Sequence, residues 1–285
     1  MSVTATVAPV RVASGTLADD WRAVKVVWKR ELIRFRRNKP RIVTSLAQPV
    51  LFLFVLGGGL SHLIPGATGF DFRTFMFPGV IAMTILFTAI FSAVSIVWDR
   101  EFGFLREMLV APSRRWAIMV GKAAGGATVA TMQGVIILAL AGVVHVPYSP
   151  VLMLTLLGEM ALAAFMLTSF GLMLASRIRQ VESFQVVMQL FVLPMFFLAG
   201  AIFPLTGLPR WLSALTKIDP LAYAVGPMRA TIFAHVKVPP EVAAQLNGGV
   251  TWDGWRLPGG LALAIVGVVG LTLLSIAIVR FAKTE

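Results

Sequence analysis

The residues able to do chemistry are few, and they sit at the edges of long apolar runs. The segment DREFGFLREMLVAP, Asp99–Pro112, sets Asp99, Arg100, Glu101, Arg106 and Glu107 between two such runs. Its apolar residues Phe102, Leu105 and Leu109 recur at spacings of three and four, the repeat of one face of a short helix. Held between two membrane spans, such a helix has the shape needed to press on a soluble partner. A solvated loop whose charges merely end the spans fits the same composition. The other chemically notable residue is Glu159, inside the apolar run LLGEMALAAF. A carboxylate at a bilayer centre costs at least about 2.5 kcal/mol, so it faces a bundle interior or water. It either lines a substrate path or hydrogen-bonds a neighbouring helix.

Catalytic and metal chemistry is not expected of this chain. A phosphate-binding loop needs GxxxxGK followed by Ser or Thr; here Gly121-Lys122 is followed by Ala123, and Trp116 stands where the first glycine belongs. There is no HExxH, no GxSxG in a strand-to-helix context and no paired carboxylate inside an apolar run. Cysteine is absent and the histidines, His62, His145 and His235, are scattered, which disfavours a metal site.

The elements that must position these residues are membrane spans. The 285 residues are 58% apolar and only 13% charged, against about 25% charged in a soluble domain. The pattern predicts an all-α integral membrane protein with six spans, near Ile42–Leu60, Phe75–Trp98, Trp116–Val146, Leu152–Ala175, Phe184–Phe203 and Pro258–Val279. The alternation of a β-barrel is missing. The expected division is a disordered cytoplasmic tail over 1–18, an interfacial helix over 19–41 and the six-span domain over 42–285. Charge supplies the orientation. Of 25 Lys and Arg, 19 fall on one side of these spans, which makes both termini cytoplasmic and assigns the net charge of +12 to topology rather than to nucleic acid.

In the N-terminal segment Trp21, Val24, Trp28, Leu32 and Phe35 share a helical face. Arg30, Arg34 and Arg37 lie among the basic residues that occupy the rest. An apolar face with tryptophans beside a basic face predicts a helix lying in the cytoplasmic interface. On the other side, RWLSALTKI predicts a short amphipathic helix with Trp211, Leu212 and Leu215 together. Asp219-Pro220 predicts the start of another, Asp as N-cap and Pro at the first position, with Tyr223 in its first turn. Gly121 and Gly125 form GxxxG, and Gly126, Ala130 and Gly134 extend a small-residue surface for helix packing. Gln48-Pro49 and Pro194 predict kinks.

Three stretches together resemble the permease subunit of a type-2 ABC exporter, closest to the daunorubicin-resistance permease group. Lys29–Gly57 resembles that family's connecting helix and first span. Phe75–Gly126 resembles its second span, coupling helix and third span. Ile202–Ala230 resembles its re-entrant helices, with Asp219 where Asn is usual. The six-span topology agrees. The resemblance implies a paired permease, most simply a homodimer, two ABC ATP-binding subunits that carry ATP and Mg, and export of an amphipathic drug, lipid or lipid-linked glycan across the cell membrane. It makes Glu101, Phe102, Leu105, Arg106, Glu107 and Leu109 the ATPase-coupling residues. Asp219, Pro220 and Tyr223 become the re-entrant motif. A proton-coupled secondary transporter and a membrane assembly subunit without cargo are the alternatives; a lone intramembrane carboxylate and no visible repeat count against the former.

Overall fold

The computed structural model describes residues 16–61, 71–103, 114–236, 246, 248–252 and 255–284. The tail over 1–15 and the segment 104–113 lie outside the described residues.

Helix α1, Leu17–Arg37, opens two residues before the expected boundary because Thr16 caps it. The Thr16 hydroxyl and N–H donate to the Asp19 carboxylate at 2.7 and 3.0 Å, and Asp19 N–H returns a bond to Thr16, which is a capping box. The bonds from Thr16 hold the Asp19 carboxyl below its ordinary range. Arg34, Arg36 and Arg37 fill the last turn, where the helix dipole favours cations. The inward stripe is Asp20, Val24, Val27 and Glu31, rotated from the expected tryptophan face, and Trp21 is exposed. The helix therefore packs on protein along a stripe with acidic ends.

Span one is composite: α2, Lys39–Leu51, a π-helical turn over Phe52–Leu56, and α3, Gly57–Ser61. Pro49 lies inside α2 and cannot donate its hydrogen bond. The ladder reopens as a wide i→i+5 turn three residues on. The next span runs as α4, Phe72–Ser92, and α5, Val94–Glu101, joined at Ala93. Nearly all of α4 is buried, because α6, Arg115–Leu138, α7, Pro150–Ala175, and α10, Ala222–Phe233, surround it. Then come α8, Val181–Leu198, and α9, Arg210–Ile218. A two-stranded antiparallel ribbon, β1 (Thr251–Trp252) and β2 (Trp255–Arg256), precedes α11, Gly259–Thr284, which packs along α7.

Among the described residues, five segments are long and apolar enough to cross a membrane: Ile42–Gly59, Phe72–Glu101, Pro150–Ala175, Val181–Leu198 and Gly259–Lys283. The expected third span forms the 24-residue helix α6 but is not among them. Lys122, Gln133 and its glycines lower its hydropathy. Its small residues sort onto two faces. A Cβ on Gly121 would stand 2.8 Å from Val27 Cβ, and one on Gly125 would stand 2.8 Å from Glu31 Cβ, so this GxxxG pair receives α1. Gly126 instead faces Ser92 and Thr168, and Gly134 faces Met160 and Ile85, receiving α4 and α7. On α9 the exposed apolar face is Trp211, Leu215 and Ile218, with Leu212 turned partly inward. Helix α10 begins at Ala222, two residues later than Asp219-Pro220 suggested.

Candidate functional site

The end of α5 is where charged side chains of α1 and α6 converge and where the ends of α7 and α8 are bonded. Asp99 is buried, and one carboxylate oxygen accepts from Lys122 Nζ on α6 and from the Arg30 guanidinium on α1, each at 2.7 Å. Lys122 sits seven residues inside α6 with its side chain 1% exposed. Its three donors go to Asp99, to Glu31 at 3.3 Å and to Ser95 Oγ at 2.8 Å, the full capacity of an ammonium group. Arg34 completes the cluster at longer range, 3.8 Å from Asp99 and 4.0 Å from Glu31. Charges this deep persist because each is paired and hydrogen-bonded.

The next two residues turn the other way. Arg100 donates to the carbonyls of Ala175 at 3.1 Å and Ile178 at 2.8 Å, beyond the end of α7. The Glu101 carboxylate accepts from Val181 N–H at 2.9 Å, at the first turn of α8, where an anion satisfies a free N–H and the helix dipole. Phe102 is exposed and edge-on to Trp98, and Gly103 takes φ +80, the left-handed conformation that ends a helix. The segment that follows contains Leu105, Arg106, Glu107 and Leu109, which lie outside the described residues. Where the chain returns, Arg114 N–H donates to Asp20 on α1 at 3.0 Å, and Arg115 donates to the Ala282 carbonyl at the end of α11 at 2.6 Å. Segment 104–113 thus leaves a junction tied to α1, α6, α7 and α8 and re-enters one tied to α1 and α11.

The interfacial residues divide. Trp28 donates from its indole to Thr128 Oγ1 on α6 at 3.1 Å, Arg30 and Arg34 join the charged cluster, and Trp21 meets Trp116 edge-on. Arg37 is exposed in the last turn.

Above the cluster lies a cavity of about 520 Å³. Glu31, Arg34 and Trp98 lie at the end beside the cluster. Gln133, about 16 Å further along α6 by helix rise, lines the other. There Gln133 donates to Ser45 Oγ at 2.7 Å and accepts from Thr88. Phe87, Phe91 and Val129 supply apolar wall.

The remaining expected residues stand apart from this cavity. Glu159 is buried and accepts from Thr231 Oγ1 at 2.8 Å, joining α7 to α10. Asp219 accepts from Leu221 N–H at 3.0 Å in the turn ahead of α10; the N-cap is Leu221 rather than the expected Asp219, and no side chain caps the helix. Tyr223 donates to the Lys217 carbonyl at 2.8 Å and accepts from the Trp252 indole at 3.1 Å. Arg229 is fully buried, 4.2 Å above the Phe75 ring and bonded to the Gly200 carbonyl.

Glu31 and Arg229 were not singled out from the sequence; Asp99 was noted only as part of its charged segment, and Lys122 only as the end of a failed phosphate-loop match. The signal for Lys122 was a single cation in a run of small residues, GKAAGGA. For Arg229 it was a single cation in AYAVGPMRATIF. Charge counting had absorbed both into topology.

A family model described as ABC-2 type transporter matches residues 22–233. The chain is 28% identical to Nodulation protein J of Rhizobium leguminosarum bv. viciae over 222 residues, 76% of this chain and 83% of that protein. It is 25% identical to the inner membrane transport permease YadH of Escherichia coli K12, covering 73% of this chain and 82% of YadH. It is 32% identical over 155 residues to an Escherichia coli K12 protein named "Probable multidrug ABC transporter permease YbhR", covering 54% of this chain and 42% of that one.

Proposed function

We propose that this chain, which belongs to the ABC-2 type transporter family, is the membrane half of an ATP-driven exporter. Membership makes it a multi-pass transport permease subunit that partners an ABC ATP-binding subunit. In the proposed assembly two copies of this chain pair and two ATPase chains dock on the cytoplasmic side, bringing ATP and Mg. Helix α6 is the third of six spans, crossing inside the bundle where Lys122 and Gln133 meet protein rather than lipid. Both termini face the cytoplasm. Cargo is an amphipathic drug, lipid or lipid-linked glycan, a range that agrees with the name of the YbhR relative.

The observation that carries the reading is the double fastening of segment 104–113. Arg100 and Glu101 hold its departure to α7 and α8, Asp99 holds it to α1 and α6, and Arg114 and Arg115 hold its return to α1 and α11. A push on that segment by a closing ATPase moves all of these helices as a body, the kind of rigid transmission that alternates access. The test is Leu105→Asp and Glu107→Arg. Both variants insert in the membrane and keep the thermal stability of the unsubstituted chain, yet lose ATPase co-purification or transport-coupled hydrolysis. Normal transport by both sinks the coupling role.

A further inference from the structure

We propose that the cavity above the charged cluster is a binding site for anionic amphiphiles, molecules with one acidic head and an apolar body. The cluster beside its mouth holds three cations, Arg30, Arg34 and Lys122, against two carboxylates, Glu31 and Asp99. The carboxylates are already served at short range: Asp99 by Lys122 and Arg30 at 2.7 Å, Glu31 by Lys122 at 3.3 Å. Arg34 reaches them only at 3.8 and 4.0 Å, keeps its side chain 43% exposed and lines the cavity. It is the cation placed to turn toward a ligand, and its planar fork suits a carboxylate or phosphate held by two parallel bonds.

The interior fits the rest of such a molecule. Phe87, Phe91, Val129 and Trp98 make apolar wall, and the volume of about 520 Å³ lies within the range of small-molecule sites. The amide of Gln133 and the hydroxyls of Ser45 and Thr88 are bonded to one another at the far end, so that end accepts a tail without leaving a polar atom orphaned. Glu31 lines the same end, but its Oε1 already faces Lys122, Arg30 and Arg34, so the charge next to the cavity is net positive.

The site deepens the exporter reading only in naming a cargo or lipid class; binding itself is measured without an ATPase, so the two readings fail independently. The full chain is reconstituted in phosphatidylcholine nanodiscs and titrated with dansyl-undecanoate and with its uncharged methyl ester, read by dansyl emission. The acid binds about tenfold more tightly than the ester, because only it forms charge-assisted bonds. Arg34→Gln lowers the acid to the level of the ester, Arg34→Lys keeps part of the preference, and Arg36→Gln, on an exposed position outside the cavity, leaves it intact. Val129→Trp, which fills the apolar wall, removes binding of both probes. Adding phosphatidylglycerol to the disc separates sources: displacement identifies a resident lipid headgroup, and persistence of the probe identifies a solute. Equal binding of acid and ester, acid binding unchanged in Arg34→Gln, or preference for a dansyl alkylamine overturns the proposal.

Discussion

The two ends of this bundle are fastened by different chemistry. At the end of the bundle that carries Asp99, this residue, Lys122, Glu31 and Arg30 bind three helices through short ion pairs, and Arg100 and Glu101 add the termini of two more. At the opposite end, joints are single: one hydroxyl to Glu159, one turn closed by the Asp219 carboxylate, one phenol between Lys217 and Trp252. Arg229 is buried there over a ring and a carbonyl rather than against a carboxylate. Removing one member of a mutual ion cluster orphans its partners; removing a group that leans on neutral neighbours orphans nothing charged. The Asp99 end therefore behaves as one cross-linked block, and the Glu159 end as separate contacts.

The sharpest way to break this contrast is Lys122→Met. It leaves two buried carboxylates without their shared ammonium and should cost about 3–5 kcal/mol, seen as loss of monodisperse protein on heating in mild detergent. Adding Asp99→Asn should recover part of that loss. A cost below that of Arg229→Met would refute the cross-linked block. A second, smaller effect is expected from Gly121→Ala. The new methyl meets Val27 Cβ at 2.8 Å and the Val24 carbonyl at 2.9 Å, so α1 must lift, at about 1–3 kcal/mol for such overpacking, with faster tryptic cleavage at Lys25 and Lys29. Arg229→Met should cost about 1.5–3 kcal/mol at most, the worth of a charged hydrogen bond, less whatever desolvation is relieved. The smallest change is Glu159→Gln. Its amide oxygen still accepts from Thr231, so stability should stay within about 0.5 kcal/mol, whereas Glu159→Ala should lose about 1 kcal/mol. A large effect of Gln alone would mean the charge itself matters at the Glu159 end.

Periodicity and hydropathy were enough to place the long apolar helices, because a bilayer leaves their backbones no alternative to the helix. Asp219-Pro220 announced a helix start from residue types, but α10 begins two residues later with Leu221 as its N-cap, and the Asp219 side chain instead closes the preceding turn on Leu221 N–H. Gly121 and Gly125 announced a close contact without saying with what; the partner is α1, nearly a hundred residues earlier. The charged cluster stayed hidden for the same reason. Glu31, Asp99 and Lys122 are each unremarkable in their own segment, and only tertiary packing brings them within 3.3 Å. The protein-facing stripe of α1 was hidden in a related way: Asp20 and Glu31 sit beside the apolar face rather than on it, and only their partners Arg114 and Lys122 show that this edge docks.

The chain is pinned on either side of segment 104–113, by Glu101 to α8 and by Arg114 to α1, so the proposed coupling role makes the number of residues between those anchors matter. Two glycines inserted between Gly103 and Arg114 would leave each of those anchoring bonds in place and still introduce slack. Under the proposed coupling, a partner would travel before any helix felt the pull, and ATP would be hydrolysed with nothing carried across.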